Sequence, residues 1–327
     1  MIKSARWPSL PTQFSRKNRT LGTSILAFVL PIGLWAQNPA GFLVGNPDES
    51  QILVSPGQVT TLILTGVQTV LPADSSDIAA STLPLPLSLA GFSAVIRQLP
   101  GAYIASLPIF RVRQTSIETS TCQSQQRIPA CMITTLTVQI PPDILLKPVE
   151  GPSRLTIIDV SDNGRIFSSS TFAVTSVATT VHILNTCDSL HVGFGVNCNP
   201  FITHADGTLA GPFFGTPAQP GETLVVYAVG LGSTTPVVPA GTPSPNPPAV
   251  ATRHFSLILN YGCATKRTVT PDFVGLTPGL VGLYQVNFVV PEPVVCSPPS
   301  AFNFSGGNLT LLSDDWVSSS TVWLFSH

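Results

Sequence analysis

Charge is what this chain has least of. Asp, Glu, Lys and Arg make up 9% of its 327 residues, far below the quarter usual in globular proteins. The few positive charges are also badly placed for binding polyanions. Lys3, Arg6, Arg16, Lys17 and Arg19 precede residue 37, and every acidic residue follows it. The body of the chain is therefore acidic and carries no basic cluster, which argues against nucleic acid or an anionic membrane surface as partner. Apolar residues at helical spacing are missing throughout, and Ile144–Lys147 is the only stretch that suits even one helical turn. After Leu34 no apolar run is long enough to span a bilayer. A Gly-x-Ser-x-Gly elbow, EF-hand spacing and a phosphate loop leading into a helix are all absent. No metal and no cofactor is expected.

What is present is a large apolar share, 43%, together with 32 prolines. That is enough hydrophobic material for packed cores, and the length suits two domains. The first 36 residues read as a secretory signal peptide. A basic region ends at Arg19, an uncharged apolar stretch runs from Leu21 to Leu34, and Ala36 is a small residue at a cleavage position. Cleavage there leaves Gln37 as the new start, and Ala40 is the alternative cut. The stretch is short for a spanning helix, although an uncleaved N-terminal anchor is the other reading. Export to the cell surface or beyond is the expectation.

The six cysteines agree with export. Cys122/Cys131, Cys187/Cys198 and Cys263/Cys296 fall in neighbouring pairs after the signal region, which reads as three disulfides. Zinc is the competing use, since Cys187, His191, Cys198 and His204 have suitable side chains. Their spacing lacks the short paired pattern of structural zinc sites, and an oxidising compartment favours disulfides.

Short β-branched and apolar runs, bounded by Gly, Pro and Asn, place strands at Phe42–Val44, Ile52–Val54, Thr60–Thr65, Phe92–Ile96 and Thr134–Ile140. Pro56-Gly57 should turn the chain between the second and third of these. Pro84 and Pro86 keep Thr82–Leu89 out of a sheet centre. Leu155–Val160 and Ile166–Val174 flank Asn163-Gly164, the signal of a type I′ hairpin. Several of these landmarks recur in order. Pro56-Gly57-Gln58 matches Pro220-Gly221-Glu222, with Gly66 matching Gly230. Phe92–Ile96 matches Phe255–Leu259, and Val138–Pro141 matches Phe288–Pro291. Leu155–Ile158 matches Leu309–Leu312, and Ser168–Thr171 matches Ser318–Thr321. The fold expected is all-β: two tandem immunoglobulin-like sandwiches related by duplication, residues 37–178 and 179–327, joined near Ser176–Thr180. The first copy differs by a longer Gln98–Cys131 insertion.

The second half supports a resemblance. His182–Asp188, Thr203–Gly207, Pro220–Leu224, Gly230-Leu231-Gly232 and Gly279–Asn287 closely resemble the C-terminal domain family of secreted Solibacter and other Acidobacteria proteins, over about Val181–Val290. The first copy is similar to the IPT/TIG-type Ig-like domain that often precedes that family. The resemblance implies secretion and a β-sandwich, and it assigns no catalytic residue. Cys296 and Pro298-Pro299 depart from the family's run into its last strands.

The segment Thr203–Gly215 has no counterpart in the first copy, so it is the place to look for a site. On an extended segment His204 and Asp206 share a face and suit a metal or a shared proton. The plainer reading makes Asp206-Gly207 a turn that His204 fills. Phe213 and Phe214, between Pro212 and Gly215, suggest a surface contact patch. Trp316 is another aromatic candidate, whereas Trp323 alternates with Val322 and Leu324 and reads as core. Asp159, Asp162 and Asn163 have calcium-binding side chains without the loop spacing, and Asp314-Asp315 reads as a turn. The leading expectation is a non-catalytic binding or structural protein that contacts envelope protein or polysaccharide. A hydrolase or metal-dependent enzyme centred on His204 and Asp206 is the alternative.

Overall fold

The computed structural model describes residues 52–101, 103–118, 121–122, 127–146, 154–186, 188, 199–211, 215–260, 266–292, 309–314, 319–322 and 324. The signal region and Phe42–Val44 lie outside the described residues. The chain is all-β, and its buried side chains fall into two separate clusters. One runs from Val54 to Val174 and the other from Val181 to Leu324.

The first cluster is enclosed by β1 (Ile52–Val54), β2 (Val59–Thr65), β3 (Asp77–Ala79), β4 (Ser88–Leu89), β5 (Phe92–Leu99), β6 (Tyr103–Ser106), β7 (Ile109–Ser116), β8 (Met132–Gln139), β9 (Leu155–Asp162) and β10 (Arg165–Ser176). Two sheets result. One has the order β2-β8-β7-β3; the other is β1-β10-β9-β5-β4, with β6 also paired to β5. Period-two alternation explains why they face each other. On β5, Phe92, Ala94 and Ile96 are buried, while Ser93, Val95 and Arg97 point outward. Asn163 and Gly164 both have positive φ, 50° and 79°, as the expected I′ turn between β9 and β10 requires.

The second cluster is enclosed by β11 (His182–Ile183), β12 (Ile202–His204), β13 (Thr223–Val229), β14 (Thr234–Thr235), β15 (Val250–Ala251), β16 (Phe255–Leu259), β17 (Arg267–Val269), β18 (Phe273–Leu276), β19 (Tyr284–Val289), β20 (Leu309–Ser313) and β21 (Ser319–Val322). One sheet contains β13-β19-β18-β15, extended by β11 and β12 on the outer edge of β13 and by β14 beyond β15. The other is β17-β16-β20-β21.

The pairings run parallel between the two halves. Thr60 faces Val138 across β2/β8, and Leu224 faces Phe288 across β13/β19. One match is out of register. Ile96 pairs with Ile158, and its counterpart Leu259 pairs with Leu309, so Ile158 corresponds to Leu309 rather than to Leu312. Burial gives the reason: Ile158 and Val160 fill the first core as Leu309 and Leu311 fill the second. The Gln98–Cys131 stretch is likewise not a plain insertion. It carries β6 and β7, which pair as β17 and β18 do in the second half. Ile144–Leu146 forms no helical turn, and Lys147 lies outside the described residues.

The halves touch through polar backbone. Ser55 Oγ meets Thr180 Oγ1 at 2.8 Å, and the Thr180 N–H donates to Gly230 O at 2.8 Å. Buried Gln139 donates from Nε2 to Gly57 O (3.2 Å) and accepts the Gly241 N–H on Oε1 (2.6 Å). The Thr82–Leu89 stretch joins in, since the Leu85 N–H donates to Gly241 O at 2.8 Å. Gly230 and Gly232, with φ of 76° and 88°, form a bend that lies so close to Ala178 and Thr180 that neither position has room for a Cβ.

Candidate functional site

The His204 neighbourhood starts from a turn that occurs twice. Ser55-Pro56-Gly57-Gln58 closes with Gln58 N–H donating to Ser55 O at 3.2 Å. Gln219-Pro220-Gly221-Glu222 closes in the same way at 3.3 Å. The glycines have φ of +72° and +81°, the third position of a type II turn, and each proline pre-sets the second. In both turns the fourth side chain folds back onto the first N–H. Gln58 Oε1 accepts from Ser55 N at 2.8 Å, and Glu222 Oε1 accepts from Gln219 N. Both fourth residues also accept from the strand opposite: Ile140 N–H on Gln58 O, and Val290 N–H on Glu222 O.

The second turn adds a carboxylate, and His204 uses it. As the last residue of β12, His204 lies opposite Leu224 on β13, which brings its ring over the turn. Its Nδ1 is 2.8 Å from Glu222 Oε2, and its Nε2 is 2.7 Å from Thr216 Oγ1. The hydrogen-bonded Glu222 carboxylate raises the His204 pKa above its ordinary value against the opposing effect of burial, with smaller help from the Thr216 carbonyl and from Asp206.

Asp206 does not join this cluster as a bonded partner. Its Oδ1 accepts the Thr208 N–H at 2.9 Å and the Thr208 hydroxyl at 2.6 Å, an Asx turn that closes the β12 hairpin. The Thr208 hydroxyl lowers the Asp206 pKa first, the Thr208 N–H second. Sequence reasoning thus singled out His204 and Asp206 and missed the contacts that His204 makes. The missed residues are Thr216 and Glu222, the latter set aside as part of a repeated turn. The signal was the replacement of Gln58 by Glu222 within that repeat.

Phe213, Phe214, His191, His327, Cys187, Cys198, Cys263, Cys296, Asp315, Trp316 and Trp323 lie outside the described residues. Cys122 and Cys131 are bonded, with Cα atoms 5.6 Å apart. His182 pairs with Asp188 at 2.9 Å. The calcium candidates are occupied by donors. Asp162 accepts the Gln68 and Thr69 N–H groups at 2.8 Å each, and Asp159 accepts Arg97 Nε at 2.7 Å and the Thr171 hydroxyl at 2.8 Å. Among the described residues no group of three or more His, Cys, Asp or Glu is placed to hold a metal ion. None of the described helices is long and apolar enough to cross a membrane.

A small crevice between the halves, about large enough for a single water, is lined by Gly57, Gln139, Gly232, Leu276, Gly282 and Tyr284, among others. It shares no residue with the His204 cluster. Its phenol is committed, since Tyr284 donates to Gly232 O, and burial pushes the Tyr284 pKa upward. Comparison with family models, with curated proteins and with solved structures gave no match.

Proposed function

We propose that this chain is an exported, non-catalytic tandem of immunoglobulin-like sandwiches that binds or builds structure at the cell surface. Envelope protein or polysaccharide is the expected partner class. The observation that carries the non-catalytic reading is the commitment of the His204 cluster. Both ring nitrogens and both Glu222 oxygens are engaged in bonds that hold the hairpin against the turn, while Asp206 Oδ1 closes the hairpin itself. Bonding of this kind positions backbone, fixing the hairpin on the turn that carries Glu222.

The immunoglobulin-like and duplication readings have their own support. Strand order β2-β8-β7 against β10-β9-β5, with β1 parallel to β10, matches the B-E-D and G-F-C arrangement of such sandwiches. The paired turns and the shared β2/β8 and β13/β19 register support duplication. The change from one core to the other between Val174 and Val181 supports a junction near Ser176–Thr180. Membership in the secreted acidobacterial family rests on the motifs of Val181–Val290.

One observation favours the hydrolase alternative. Thr216 hydroxyl, His204 imidazole and Glu222 carboxylate form a line with the spacing of a nucleophile, a base and its orienting acid. Against it, the Thr216 N–H donates to Leu209 O, and Pro217 has no N–H to stabilise an oxyanion. A fluorophosphonate probe distinguishes the two readings. The expected outcome is no label on Thr216, with glycan or envelope-protein binding retained by the His204→Ala variant. Labelling of Thr216 that is lost in His204→Ala would overturn the non-catalytic reading.

A further inference from the structure

The outer face of the first half's larger sheet carries apolar side chains at one margin. Arg97 faces Ile104 and Leu99 faces Leu155 across neighbouring strands, so these side chains stand together on the side away from the core. Ile104 is 69% exposed, and Leu99 and Leu155 are 40% and 47% exposed. On the smaller sheet of the same half, the edge strand β3 carries Asp77 paired with Arg111 of β7. An exposed apolar cluster at a sheet margin marks an interaction site more often than chance.

The margin itself is β6. Its hydrogen bonding to β5 alternates, and the Leu107 N–H donating to Ala94 O sets the phase. Ala105 and Tyr103 therefore bond toward β5, whereas the N–H and C=O of Ile104 and Ser106 point away from the sheet. Open edges are normally blunted by charge, proline or cover. The edge strand β3 carries Asp77 bonded to Arg111, β17 begins at Arg267 after Lys266, and β21 receives Ile183 N–H on Ser320 Oγ. Tyr103-Ile104-Ala105-Ser106 has neither charge nor proline.

We propose that β6 is a homodimer edge, pairing antiparallel with β6 of a second copy about a two-fold axis at Ile104. A second copy fits because the edge is self-complementary. The two-fold lets each Ile104 N–H donate to the other's C=O and brings the two Ile104 side chains together on the outer face. No like charges meet. The two Arg97 side chains end up three strand spacings apart, about 14 Å, beyond the screening length at physiological salt. Each is already paired with its own Asp159. So short an edge makes a small interface, and the dimer is weak, with a Kd on the order of 10–100 μM.

Sedimentation equilibrium of the purified chain tests this, with hydrogen exchange read at low and high concentration. The expected result is a monomer–dimer equilibrium with concentration-dependent protection of the Ile104 and Ser106 amides. Ile104→Lys should weaken it at least ten-fold with thermal unfolding unchanged. Ile166→Lys, on the same face but at the far end and 61% exposed, should leave it intact. A wild-type monomer at several hundred micromolar overturns the proposal. So does a dimer that survives Ile104→Lys, or one broken by Ile166→Lys, which would mean face-to-face stacking. Capture by Ile104 of an envelope protein in place of a second copy overturns it as well.

Discussion

The turns at Ser55–Gln58 and Gln219–Glu222 share backbone, closing bonds and position at the head of equivalent strands, yet they serve different neighbours. The first is buried against the other half: Ser55 is fully buried and bonded to Thr180, and a Cβ added at Gly57 would lie 3.3 Å from the Tyr284 hydroxyl. The second faces outward and holds its own hairpin through His204. One local structure therefore acts as a joint in the first half and as a clamp in the second. The difference rests on a few side chains outside the turn rather than on the turn itself.

The strands that follow offer the sharpest way to break the equivalence. Gly66 and Gly230 end matching strands with φ of 70° and 76°. Nothing lies within 4 Å of a Cβ at Gly66, whereas a Cβ at Gly230 would overlap the Thr180 carbonyl. Gly66→Ala should cost only the left-handed backbone penalty, about 1–2 kcal/mol. Gly230→Ala should cost that plus displacement of the connecting segment, about 3–5 kcal/mol in all. Denaturant unfolding of the two variants measures the gap, and equal losses would mean that the junction at Thr180 is not tightly held. A smaller contrast lies one step across the sheet, where Gln139 and Val289 occupy equivalent positions. Gln139→Ala leaves the buried Gly241 N–H and the Gly57 carbonyl without their partner and should cost about 1–3 kcal/mol. Val289 is 43% exposed, and Val289→Ala should stay within about 0.5 kcal/mol.

Much of this architecture was legible in the sequence because strand period and turn chemistry are local. Asn163-Gly164 and both Pro-Gly pairs need positive φ, and only a few residue types supply it, so they read correctly. The misaligned match at Leu155–Ile158 shows the limit. A four-residue apolar run aligns almost equally well three positions along, and only the facing strand decides which side chains enter the core. The Gln98–Cys131 stretch misled for a related reason. β7 carries Arg111, Arg113 and Gln114 among its apolar residues, and Gln114 is buried by bonding the Leu71 N–H and the Thr69 carbonyl. A buried polar residue in a half-buried strand disguises it. At the candidate site, Asp206-Gly207 was legible as a turn because an Asx turn is made within three residues. The Glu222–His204 pair was not, since it depends on β12 lying against β13, a contact between segments far apart in sequence.

That pair supplies the finest test of the comparison, because Glu222→Gln gives the second turn the residue of the first. The amide can still accept the Gln219 N–H, as Gln58 accepts Ser55 N–H, so the turn should persist. What disappears is the charge that favours protonated His204. In the wild type the folded-state pKa of His204 is raised. Its contribution is therefore fully present below the unfolded histidine value, about 6.5, and is lost as pH rises through the raised folded value. Glu222→Gln should lower stability by about 0.5–1 kcal/mol at pH 5.5, with the difference shrinking toward zero at higher pH. The His204 ring resonances, followed by NMR, should titrate at lower pH in the variant. An unchanged titration would place the cause of the shift in the Thr216 carbonyl and Asp206, and the two turns would then differ in sequence but not in electrostatics.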